Sequence, residues 1–117
     1  MKNIVSLWTG KFKNRKEFQS YIQENFDDEG DFDSKFMNDF KIEYYDSDFQ
    51  EAEYLEKQIN LQDFENASYS KSFINKLTNI DFRNDNSIIL VYDFEYNKAV
   101  IDTNKIRFIG NFEYEKI

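Results

Sequence analysis

The chain begins with a short apolar run, Ile4, Val5, Leu7 and Trp8, interrupted by Ser6 and ended by Thr9-Gly10. This pattern predicts a first strand over 4–8. Asn14 stands three positions before Glu17, the arrangement in which a capping side chain and a returning carboxylate satisfy the first free amides of a helix. Phe18, Tyr21, Ile22 and Phe26 then recur at helical spacing, so a helix is predicted near 15–26. Asp27-Asp28-Glu29-Gly30-Asp31 reads as a loop, because like charges repel and Gly30 accepts a positive φ. Ser34, or alternatively Asp31 or Asp33, is placed to cap a short helix carrying Phe36, Met37 and Phe40.

Further along, Ile42-Glu43-Tyr44-Tyr45 is open between a strand and a helix end. On a strand, the two tyrosines would face opposite ways. Asp46-Ser47-Asp48 predicts a turn or cap, and Phe49 to Leu55 a helical continuation. Residues 57–67 carry no readable period. Ser70 predicts the cap of another helix with Phe73, Ile74 and Leu77 on one face. The last third changes period. Ser87 to Tyr96 is β-branched and apolar, Asn97-Lys98 and Asp102-Thr103-Asn104 read as turns, and Ile106, Phe108, Phe112 and Tyr114 alternate along a final strand with one mostly polar face. The sum is a single α+β domain over 1–117. Its antiparallel sheet has about four strands, the N-terminal strand plus a C-terminal meander, with helices packed on one face.

Composition removes several chemistries. With no His and no Cys among the 117 residues, the chain has no Ser–His or Cys–His nucleophile pair, no thiolate and no zinc site of the usual Cys/His kind. The 13 Phe, 8 Tyr and 1 Trp, with no Pro and three Gly, read chiefly as core filler in place of Leu and Val. Trp8 in particular is expected as a core anchor with its N–H bonded. The longest apolar run, Ile88 to Tyr92, is far too short to span a bilayer, and the N-terminus turns polar too soon for a secretory signal. A cytoplasmic location is therefore expected.

The formal net charge of −8 is unevenly spread. Residues 1–23 carry five bases and one acid. Residues 24–56 carry thirteen acids against Lys35 and Lys41, and the remainder is nearly balanced. This disfavours a phosphate backbone or an anionic membrane as partner and favours a basic protein. The small basic tract Lys11, Lys13, Arg15 and Lys16 is expected to pair internally with the acidic stretch.

The bland reading of that stretch is a solvated face. A calcium loop fails on spacing: counted from Asp28, position 12 is Asp39 rather than Glu, and counted from Asp27, position 6 is Phe32 where glycine is needed. Carboxylate pairs such as Asp46 with Asp48, or Glu51 with Glu53, would point apart on a helix and so do not suggest acid–base chemistry. Aromatics interleaved with acids, as in Tyr44, Tyr45, Phe49 and Tyr54 among Asp46, Asp48, Glu51 and Glu53, are the residue mix of a charge-steered protein interface. The candidate docking residues are Asp27, Asp28, Glu29, Asp31, Tyr45, Asp46, Asp48 and Glu51.

Val5-Ser6-Leu7-Trp8-Thr9-Gly10 with Phe12, the segment Phe36 to Phe40, and Ile42-Glu43-Tyr44-Tyr45-Asp46-Ser47-Asp48-Phe49 together resemble the immunity protein 22 family of bacterial polymorphic toxin systems. Val91-Tyr92-Asp93-Phe94-Glu95-Tyr96 and Phe108-Ile109-Gly110-Asn111-Phe112 extend the resemblance over nearly the whole chain. The resemblance implies a small cytoplasmic protein with no catalytic residues and no cofactor, which neutralises a cognate toxin by stoichiometric binding. A basic nuclease is one toxin that an acidic surface would suit. The competing reading is an acidic interaction module, or a mimic of DNA charge that binds a nucleic-acid-binding protein.

Overall fold

The structure, a computed structural model, describes residues 3–116. Its sheet has four antiparallel strands in the order β4-β5-β1-β6, where β1 is Asn3–Gly10, β4 Gln50–Tyr54, β5 Ser87–Tyr92 and β6 Ile106–Tyr114. Two α-helices, α1 (Arg15–Ile22) and α2 (Lys35–Phe40), and a two-residue-per-strand hairpin, β2 (Asn25–Phe26) with β3 (Phe32–Asp33), complete the regular structure. The α+β class and the strand count agree with expectation, but the sheet is assembled differently. β1 separates the two C-terminal strands, so no meander forms, and β4 supplies the fourth strand.

Central β1 is covered on both faces, which explains its nearly unbroken burial. Trp8 points with Ile89, Val91 and Ile106 into one core, where α1 contributes Phe18 and Tyr21, and α2 contributes Phe36, Met37 and Phe40. Val5 and Leu7 point the other way, with Ile88, Leu90, Tyr92 and Tyr114. That second core is roofed by Ile59, Phe64, Phe73, Leu77 and Phe82, carried on the 3₁₀ turns Leu61–Phe64, Ser70–Ser72 and Ile74–Leu77 and the loops between them. Both α-helices therefore share one face, as expected, while turns cover the other. The helix predicted after Ser70 is absent. Ser70 donates its hydroxyl to the Glu65 carbonyl at 2.9 Å instead of capping.

The local capping signals hold. Asn14 Oδ1 accepts the Glu17 amide at 2.8 Å, and Ser34 Oγ accepts the Met37 amide at 3.1 Å. Gly10 is required by a close approach, since a Cβ there would lie 2.5 Å from the Lys105 carbonyl oxygen. Along β6 the pairing slips between Leu7–Gly110 and Trp8–Phe108, a bulge at Ile109. Phe108 consequently joins the Trp8 core while Phe112 and Tyr114 join the other, so the four aromatic and aliphatic positions read as one face are split between two.

The long apolar run ends as a strand at Tyr92 because Asp93 adopts φ +54 and turns the chain out of the sheet. Side chains then replace strand pairing. Ser6 Oγ and Asn111 Oδ1 accept the Tyr96 amide at 3.0 and 3.1 Å, and Asn111 Nδ2 donates to the Tyr96 carbonyl at 2.9 Å. Trp8 is fully buried, but its indole N–H finds no acceptor among the described residues, contrary to expectation. The rings of Phe36, Tyr96 and Phe108 pack against the Trp8 ring at 4.8 to 5.3 Å between centroids, and the Tyr96 hydroxyl is turned to the Phe40 and Val100 carbonyls. Leaving such a donor unpaired costs about 1–3 kcal/mol, set against the burial of the largest side chain in the core.

Candidate functional site

The acidic stretch contributes to two local surfaces. The first is the β2–β3 hairpin. Its turn is closed by Asp27, whose Oδ1 accepts the amides of Glu29 and Asp31 at 2.9 and 3.0 Å, and by Gly30 at φ +87. Asp27 is thus committed to the turn. The carboxylates of Asp28, Glu29 and Asp31 stand exposed and, among the described residues, take no partner. Beside them lie Phe26, 64 % exposed, and Tyr44, 68 % exposed, bridged by Phe32 at centroid distances of 5.5 and 6.3 Å.

Tyr45, placed among the docking residues on sequence, is corrected by the fold. It is 2 % exposed, packs against Phe32, Phe36 and Phe94, and hydrogen-bonds Gln50. The adjacent Tyr44 is the surface member, the opposite facing expected of neighbours in extended chain. Burial raises the Tyr45 phenol above its ordinary range, with nearby Glu24 adding to the effect.

The second surface lies around β4. Asp46 Oδ1 accepts the Asp48 amide at 3.0 Å and caps the 3₁₀ turn Ser47–Phe49, as the turn motif suggested. The chain then enters β4 rather than the expected helix. Its five residues pair with the strongly apolar β5 from Gln50–Val91 to Tyr54–Ser87, and that pairing overrides a weak local pattern. On a strand Glu51 and Glu53 share a face, whereas a helix would have splayed them. Glu51 accepts both the amide and the hydroxyl of Ser68, which fastens the 61–70 segment to the sheet edge.

Beyond Glu51 a concavity of about 160 Å³ opens, walled by Phe49, Tyr69, Tyr92 and Tyr114 and edged by Asp48, Asp93 and Lys116. Tyr69 stacks on Tyr114 at 5.4 Å and 27°, and Tyr92 meets Tyr114 edge-on at 5.2 Å. Tyr92 donates to the Ser68 carbonyl at 2.7 Å, and Tyr114 to Asp93 at 2.5 Å. The Lys116 ammonium, 2.8 Å from Asp93, and then the Tyr114 hydroxyl hold the Asp93 carboxyl below its usual range. Sequence reasoning missed Tyr69, Asp93, Tyr114 and Lys116, because they come from segments distant along the chain and only the sheet order β4-β5-β1-β6 and the 61–70 crossing bring them together.

The basic tract does not pair with the acidic stretch among the described ion pairs. Lys105 takes Glu17 at 2.6 Å, and the Arg15 guanidinium lies over the Tyr54 ring at 5.4 Å. No group of three or more acidic side chains among the described residues is placed to hold a metal ion. No helix there is long and apolar enough to cross a membrane.

Exposed aromatics thus stand beside carboxylates that take no partner among the described residues. The family model described as Immunity protein 22 matches residues 5–115, nearly the whole chain, and the chain belongs to that family. No curated protein and no solved structure matches it.

Proposed function

We propose that this immunity protein neutralises a cognate bacterial polymorphic toxin by stoichiometric binding in the cytoplasm, with the acidic surface of residues 27–56 facing a basic region of the toxin. Family membership over residues 5–115 carries the reading. The exposed, unpaired carboxylates of Asp28, Glu29, Asp31 and Asp48 support the acidic surface as the part that meets it. Opposite charge speeds encounter, and aromatic anchors beside it hold the docked state. A basic nuclease fits this surface, since an enzyme that grips phosphate must itself be cationic. The protein acts by occlusion and performs no turnover. Co-expression with the adjacent open reading frame, followed by affinity purification, is expected to yield a one-to-one complex that abolishes the toxin's activity. Recovery of the immunity protein alone, with the toxin still active, overturns the reading.

A further inference from the structure

We infer that the tyrosine-walled concavity beside β4 receives an arginine side chain projecting from the toxin. The inference rests on the toxin-binding reading and narrows it to one pocket and one residue type. Aromatic faces bound the pocket: Phe49 and Tyr69, 44 % and 38 % exposed, offer π-surface to solvent, and Tyr114 backs Tyr69. A cation is attracted to such faces, and more strongly once water is excluded. Carboxylates close the rim. Asp48 is exposed without a side-chain partner among the described residues, and Glu51 and Asp93 lie against the tyrosine hydroxyls.

One of the rim carboxylates already meets a cation of this chain. Lys116 sits at the pocket's edge and places its ammonium 2.8 Å from Asp93. That lysine satisfies Asp93 but leaves Asp48 and the ring faces for an incoming group. A planar guanidinium suits both, because it stacks on rings and reaches carboxylates with several donors at once, where an ammonium is a point charge. The backbone is also specialised here. Of the four non-glycine residues at positive φ among the described residues, two, Tyr69 at +60 and Asp93 at +54, belong to this pocket. A bulky residue held in that region is costly and recurs where a ligand is gripped.

The experiment titrates the whole protein with end-blocked tetra-arginine and tetra-lysine peptides, followed by NMR of aromatic ring protons. Saturable shifts at Phe49 and Tyr69 are expected, with tetra-arginine bound more tightly. Asp48→Asn with Glu51→Gln is expected to weaken binding about tenfold, and Tyr69→Gly about fivefold. The glycine suits the left-handed backbone, so the second variant removes the ring without straining the fold. Lys116→Ala is expected to tighten binding by removing the internal competitor. The charge-matched pair Asp28→Asn with Asp31→Asn, on the hairpin, is expected to change affinity less than about twofold. Equal loss from the hairpin pair, equal binding of the two peptides, or absence of the ring shifts overturns the inference. The two readings fail separately. If the toxin complex forms equally well with Asp48→Asn/Glu51→Gln, the pocket inference falls and toxin binding stands. If the peptide fills the pocket but no toxin binds, toxin binding falls.

Discussion

The hairpin and the tyrosine pocket both carry carboxylates of the same acidic stretch, but the pocket adds Asp93 from beyond it and fixes all but Asp48 by hydrogen bonds. On the hairpin, Asp28, Glu29 and Asp31 project from a turn held by Asp27, on strands of two residues each. In the pocket, Glu51 is fixed to Ser68, Tyr114 to Asp93, and Tyr92 to Ser68, all on the main sheet and its cover. Free charges on a peripheral element act at a distance and tolerate imprecise geometry. Charges fixed among rings by hydrogen bonds depend more closely on where a partner's donors are placed. On the proposed reading, the hairpin serves encounter and the pocket serves grip.

The largest difference is expected in stability. Tyr92 is buried against Phe73 and Tyr114 and bonds Ser68, so Tyr92→Ala should cost about 3–5 kcal/mol in urea unfolding. Phe26→Ala, on the exposed hairpin, should cost less than about 0.5 kcal/mol. Comparable losses from both would mean that the hairpin is as integral to the fold as the pocket.

Next in size is the response to alkali. Burial, seconded by neighbouring carboxylates, raises the phenols of Tyr92 and Tyr114 in the pocket and of Tyr21 and Tyr45 beneath the helices. An unfolded tyrosine ionises near pH 10, whereas these remain protonated when folded. Above that pH the native state binds more protons, and stability falls by about 1.4 kcal/mol per pH unit for each such tyrosine. The part of the phenolate absorbance that belongs to these four tyrosines should therefore rise together with loss of circular dichroism. Smooth ionisation of all eight tyrosines with the fold intact would contradict the burial of Tyr21, Tyr45, Tyr92 and Tyr114. At the acid end, Asp93 stabilises the fold above the ordinary carboxylate pKa, and that contribution is lost as pH falls through its lowered value.

What the sequence revealed divides along the same line. Features set by nearest neighbours were legible: the Asn14 and Ser34 caps, the Asp46 turn, the Gly30 loop and the opposed facing of Tyr44 and Tyr45. The hairpin's carboxylates belong to this class. The pocket was not legible as a unit. Glu51-Ala52-Glu53-Tyr54 alternates polar with apolar, but over too few residues and with too small a side chain at Ala52 to outweigh a helical reading of Phe49 to Leu55, and it is the pairing with β5 that makes it a strand. Ile59, Phe64 and Phe82 roof the second core from turns and loops with no helical or strand period to mark them, while Phe73 and Leu77, which do stand at helical spacing, come from 3₁₀ turns and the residues between them. The strand end at Asp93 depends on Ser6 and Asn111, one near each end of the chain, holding Tyr96 off the sheet.

The comparison also predicts a kinetic split once the toxin complex is in hand. Asp28→Lys with Asp31→Lys should slow association about tenfold at low salt and flatten its salt dependence, leaving dissociation nearly unchanged. Asp48→Asn with Glu51→Gln should chiefly speed dissociation. Charge reversal at Asp46 is a poorer probe, because its carboxylate caps the Ser47–Phe49 turn and the variant would alter shape with charge. If salt leaves the wild-type association rate unmoved, the hairpin does not steer.

The smallest expected effect tests whether the two regions are mechanically separate. Gly30 has φ +87, and a Cβ there would meet nothing within 4 Å, so Gly30→Ala is penalised by backbone conformation and not by collision. The cost is about 1 kcal/mol. Because β2 pairs only with β3, that cost falls on a local element, and the chain can relieve it by opening the turn. Amide exchange should therefore quicken at Gly30 and Asp31, whose N–H groups bond Asp27, while the Ser68 amide held by Glu51 and the Glu115 amide held by Ser72 keep their rates. Faster exchange at Ser68 in this variant would show that strain in the hairpin reaches the pocket, and that encounter and grip are coupled within one cooperative unit.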